Sequence, residues 1–99
     1  MTAEEIEEAF RPRGVSRGGL LMLRPLDAVA MVRQAKEQGV RVLGAEAFCL
    51  FDHGTQPMLE HSVDFSSSSV PWSQDPWNRA VVHLERYLSC DCYFEVVLE

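Results

Sequence analysis

Positive charge is scarce in this chain. Lys and Arg total 9 against 15 Asp and Glu, for a formal charge of -6 over 99 residues and a pI near 5.0. That balance argues against direct binding to nucleic acid or to an anionic membrane, both of which recruit clustered cations. Long apolar runs are also missing. None approaches the ~18 residues that a membrane-spanning helix needs. The opening Met-Thr-Ala-Glu-Glu has neither the basic region nor the apolar stretch of a secretory signal, so the sequence predicts a cytoplasmic protein. Cysteine is sparse and odd in number, at 3. Without an export signal these are expected to be reduced thiols. Cys90 and Cys92 lie two apart, but no second pair completes a zinc set.

Familiar catalytic motifs are absent as well. The loop Arg11–Gly19 is rich in Gly and Arg but lacks the Gly-Lys-Ser/Thr ending of a phosphate loop. There is no His-Glu-x-x-His and no nucleophile elbow. A chain of 99 residues fits one domain with one core, which leaves little room for a catalytic cleft. We therefore expect no enzyme, no cofactor and no metal. A small metal-dependent enzyme ranks last among the readings.

What is present is a dominant apolar run, Val40 to Asp52, which follows Gly39. Its Val, Leu, Phe and Cys content predicts a strand covered on both faces, at the middle of a sheet. Upstream, Thr2 and Glu5 have capping-box spacing, which predicts a helix over 2–10 that Pro12 and Gly14 end. Residues 11–19 read as a loop, and 1–19 as a peripheral unit of the single domain 1–99. Leu20–Leu23 is a short run that could pack or pair at an edge. Pro25 starts a second helix, Asp27 lies in its first turn and Gly39 stops it.

Downstream, residues 52–57 read as a turn with a five-residue loop, and Met58–Phe65 as a strand folding back. Residues 66–75 read as a surface loop. Asp75 and Pro76 then open a third helix, with Trp77, Ala80, Val81, Leu84, Tyr87 and Leu88 at helical spacing. Asp91–Leu98 alternates as a last strand. The crossover through the third helix should join parallel strands on either side of strand 40–52. The expected fold is α+β: a small three-stranded sheet of order 2-1-3, packed with about three helices as a single-layer sandwich.

Asp52, His53, Glu60, His61 and Asp64 gather around the hairpin. Neighbours on a strand point apart, so these spacings fit no metal site, and His61 among Leu59, Val63 and Phe65 reads as a core residue. A five-residue loop sets residue 52 opposite 58, which opposes Glu46 to Asp64 and places Asp52 and Glu60 on the same face. Opposed like charges cost stability. A basic partner would relieve them.

The stretches Ala28–Gln38, Gly39–Leu50 and Gln56–Ser66 resemble immunity proteins of bacterial polymorphic-toxin systems. Leu43-Gly44, the acid at 46 and the aromatic at 48 carry most of the likeness, which spans roughly residues 25–95. Glu60–Asp64 departs from the aromatic-rich segment expected there. The resemblance implies a non-catalytic protein that blocks a cognate toxin, plausibly a basic nuclease, inside the producing cell. Glu46, Asp52, Glu60 and Asp64 would be the charged contacts, with Phe48 and Trp72 as apolar anchors. The competing reading is a homodimeric interaction domain using the exposed edge of strand 58–65.

Overall fold

The computed structural model describes residues 1–52, 54–65 and 75–99. Its elements run α1 (Ala3–Phe10), a 3-10 turn (Arg11–Arg13), β1 (Val15–Arg17), β2 (Leu20–Met22), α2 (Pro25–Gln38) and β3 (Val42–Phe51). Then come β4 (Gly54–Pro57), a second 3-10 turn (Leu59–His61), β5 (Val63–Asp64), α3 (Pro76–Glu85) and β6 (Tyr93–Leu98). The class is α+β with three helices. The sheet content differs from the expected three strands: among the described residues six strands form two antiparallel sheets, β1–β2 and a four-stranded sheet built on β3.

The caps behave as the sequence dictates. Thr2 and Glu5 form a reciprocal capping box on α1. Gly39, at φ 67, ends α2 and donates back to the carbonyls of Ala35 and Lys36. Asp75 caps α3 by accepting from the Asn78 amide, and its other oxygen takes Lys36 Nζ at 2.9 Å. Both acceptor roles hold its carboxyl below the usual range, the amide bond first.

The stretch 11–19, expected as loop, instead holds a turn and a strand. Gly18 and Gly19 both have positive φ (57 and 81) and make the two-residue connection from Arg17 to Leu20. Only glycine enters that mirror-image turn freely. Leu23 then bridges to Phe94, so the small hairpin abuts the outer edge of β6. Arg17 donates to the carbonyls of Phe51 and Gly54, tying the hairpin to the β3–β4 turn.

β3 is the central strand. Gly44 and Ala45 pair with β5 and also with β6, and Phe48 pairs with both β4 and β6. β4 and β5 therefore share one edge of β3, and β6 takes the other. The strand expected over Met58–Phe65 is broken. Leu59–His61 leaves the ladder as a 3-10 turn, and only Val63–Asp64 remains strand. Ser62 makes the break tolerable. Its Oγ accepts from the Ala47 amide at 2.9 Å and donates to the Met58 carbonyl at 3.0 Å, supplying the rung that the ladder loses. The five-residue loop is also corrected. Phe51 pairs with Gly54, so only positions 52 and 53 separate the strands, and the presumed turn residues 54–57 are β4.

The core lies on one face of this sheet. Ala45 and Ala47 pair with Val96 and Phe94, small against large, and α2 and α3 bring Val32, Ala35, Val81 and Leu84 onto them. Ile6 and Phe10 of α1 join the same core. Trp77 packs on it and donates to the Val40 carbonyl at 2.8 Å, fixing the start of α3 to the α2–β3 junction. Leu88, expected on the buried stripe, is 49% exposed because α3 ends at Glu85 and the chain turns. Among the described residues no helix is long and apolar enough to cross a membrane.

Candidate protein-docking face

Alternation along β3 and β6 divides the sheet. Ala45, Ala47, Phe94 and Val96 meet the helices. Glu46, Phe48, Tyr93, Glu95 and Val97 lie on the other face. Glu46 stands directly opposite Glu95. The Phe94 amide and carbonyl are both used by Leu23, at 2.7 and 2.8 Å, so Phe94 has none left for β3. Its neighbours Tyr93 and Glu95 therefore make the inter-strand hydrogen bonds, which sets the Glu46 and Glu95 Cα atoms about 5.5 Å apart. Two carboxylates share that space. Among the described residues neither forms an ion pair; the ion pairs found use other acids. Burial pushes the Glu95 carboxyl above its ordinary range, and the charges of Glu46 and of Glu7 on α1 push it further.

The sequence expectation opposed Glu46 to Asp64. Instead Asp64 pairs with Gly44, two residues away along β3. Nearer the turn the displacement is larger: Leu50 faces Thr55 and Phe48 faces Pro57. The larger displacement follows from the short turn, and the break at 59–61 takes back three positions, which leaves Asp64 two away from Glu46.

Beside the acidic pair the broken strand opens a groove of about 630 Å³, bordered by Gly44, Glu46, Pro57, Leu59, Asp64 and Val97. Gly44 is needed there. A Cβ at this position would lie 2.5 Å from the Val63 carbonyl oxygen, a backbone atom with nowhere to go. The 3-10 turn presents Leu59, 82% exposed, at the groove edge, with Glu60 exposed next to it. An exposed leucine beside carboxylates is a surface that an apolar-and-cationic partner fits.

The other expected contacts are scattered. Glu46 and Asp64 come together at the groove, and Glu60 adjoins it. Asp52 lies exposed at the β3–β4 turn, six positions along from Glu46, or about 20 Å of strand. Phe48 is only 6% exposed and lies apart from the main core, as does buried Met22; Phe48 is a support for this face and no exposed anchor. Trp72 lies outside the described residues. Glu95 and Leu59 were missed. The last strand's alternation did group Glu95 with Tyr93 and Val97, but nothing local shows which residue faces it.

His61 and His83 serve packing. His61 stacks on Tyr87 with ring centroids 4.4 Å apart, and its Nδ1 is buried without a partner. It lies in the 3-10 turn and not on a strand face. His83 Nε2 donates to the His61 carbonyl at 2.6 Å, which fixes the proton on that nitrogen, since a carbonyl only accepts. Among the described residues no three His, Cys, Asp or Glu side chains are grouped to hold a metal ion. No protein-family model matches the chain, and no curated protein is significantly similar to it.

Proposed function

We propose that this protein is an immunity protein: a non-catalytic domain that binds and neutralises a basic bacterial toxin, such as a nuclease, in the cytoplasm of the producing cell. The observation that carries the reading is the opposition of Glu46 and Glu95, without an ion pair, on the sheet face turned away from α2 and α3. Directly opposed like charges cost the free protein about 0.2–1 kcal/mol. A cation arriving from a partner turns that cost into attraction. The net charge of -6 adds long-range steering of a basic protein. Leu59 supplies the apolar contact, and Asp64 and Glu60 extend the acidic rim.

The resemblance of 28–66 to toxin-immunity proteins points the same way. The homodimer alternative rested on an exposed edge at 58–65, and only Val63–Asp64 of that edge is strand.

The test uses the protein encoded by the adjoining reading frame. Co-expression with this chain should rescue growth from its toxicity, and the purified pair should associate. Glu46→Gln with Glu95→Gln should slow association several-fold, and the gap to wild type should shrink with added salt. Rescue and association rates that are unchanged in the double variant at low salt would move the docking surface away from this face.

A further inference from the structure

A second groove, of about 330 Å³, runs between β5 and the outer face of α3. Val63 borders both this groove and the acidic one, so a two-residue strand separates them. The sign of the charge reverses across it. Arg79, Val82, His83 and Arg86 recur at i, i+3, i+4 and i+7 along α3 and its C-cap, which sets them on one stripe. Val63 and Phe65 form the facing wall. We propose that this groove binds a small carboxylic acid with an apolar body about one ring in size, its carboxylate seated on Arg86.

Acids outnumber bases in this chain, and Arg11, Arg13, Arg24, Lys36 and Arg41 each meet a carboxylate. Arg86 is exposed and among the described residues forms no ion pair. A helix C-terminus favours a cation, which accounts for the charge of Arg86 but not for the apolar wall beside it. The other parts of the groove are held in place. The Arg79 guanidinium lies 5.5 Å over the Phe65 ring. His83 is fixed by its donation to the His61 carbonyl and by the Tyr87 ring, 5.3 Å away. Little ordering is left to oppose binding. Ligand pockets span ~300–1,000 Å³, so this one, at the small end, limits the apolar body to about one ring. The guanidinium fork takes both oxygens of a carboxylate. A single negative charge suits the site better than the two of a phosphate, because the net charge of -6 repels an anion in proportion to its charge. This ligand is independent of the toxin reading.

The experiment titrates the isotope-labelled full chain with phenylacetate and follows the amide and arginine Nε resonances. The expected result is saturable shifts at Val63, Val82, His83 and Arg86, with a dissociation constant in the millimolar range. Phenylacetamide lacks the charge and acetate lacks the ring, and each should bind roughly ten-fold more weakly. Arg86→Gln, at an exposed position, should weaken phenylacetate by a similar factor with its urea midpoint unchanged. Arg86→Lys should fall between, because it keeps the charge and loses the fork. N-acetylphenylalanine presents the same groups as a chain terminus. Binding tighter than that of phenylacetate assigns the ligand to a peptide end, and weaker binding assigns it to a free acid. Shifts that do not saturate, that centre on other residues, that phenylacetamide or acetate reproduces at equal affinity, or that persist unchanged in Arg86→Gln would each overturn the proposal.

Discussion

Ser62→Ala tests the seam on which the docking groove depends. The Ser62 hydroxyl is the partner of the Ala47 amide, at 2.9 Å, and it also donates to the Met58 carbonyl. Ala47 is 1% exposed, so water does not readily replace the lost acceptor. A buried amide left without a partner costs about 1–3 kcal/mol. In a domain of this size each kcal/mol moves Tm by roughly 4–8 °C, so a fall of about 5–20 °C is expected. Urea denaturation should show the midpoint fall at unchanged slope, because the same surface is exposed on unfolding. Hydrogen exchange should find the Ala47 amide less protected, with the Ala45 amide much less affected. Ser62→Thr, which keeps the hydroxyl, should recover most of the loss. An Ala variant within about 0.5 kcal/mol of wild type, with Ala47 equally protected, would refute the claim that this side chain replaces a ladder rung.

Glu95 gives a pH test. Its carboxyl is raised in the folded protein, by burial first and then by Glu46 and Glu7, so the folded state holds that proton more tightly than the unfolded chain does. This contribution to stability is present below the ordinary Glu range and is lost as pH rises through the folded value. Glu95→Gln should flatten that fall and leave the protein about 0.2–1 kcal/mol more stable at neutral pH. Denaturation midpoints at several pH values decide it, and a variant less stable than wild type at neutral pH would show that Glu95 has a stabilising partner. Leu84→Ala, at a position with no exposure under the sheet, should cost ~2–5 kcal/mol. A midpoint that barely moves would mean that α3 buries another face.

The helices were legible because their signals are local. Thr2 with Glu5, Pro25 with Gly39, and Asp75 with Pro76 each act locally, and all three helices begin within one residue of the expected places; the first two also end where expected, while α3 stops at Glu85, short of Leu88. β3 was legible from its apolar run. The strand after it was not. Leu59, His61, Val63 and Phe65 alternate cleanly, yet Leu59 points to solvent and His61 stacks on Tyr87. Period-2 alternation describes which side chains could share a face and does not show whether the backbone stays in the ladder. Here the ladder is left because Ser62, three residues on from Leu59, can substitute for a backbone rung. The hairpin β1–β2 was hidden for another reason. Three-residue strands carry too little alternation to register, and the Gly18-Gly19 pair that closes them reads equally well as a loop.

The candidate site was half legible, and the missing half shows what such a surface depends on. Glu46 stood out as an acid inside an apolar strand. Its opposing charge was sought in the nearest strand of the sequence, but it comes from Glu95, 49 residues later, across the other edge of β3. That opposition survives because the two faces of β3 carry different duties. Ala45 and Ala47 seat the helices, and the burial around them supplies the stability. Glu46 projects the other way, where a repulsion of order 1 kcal/mol or less is small beside the core. The faces should therefore respond in opposite senses. Substitutions beneath the helices lower stability. Neutralising Glu46 or Glu95 leaves it level or raises it, and weakens recognition. A residue that costs stability in the free protein and strengthens a complex is the signature of a surface shaped for a partner.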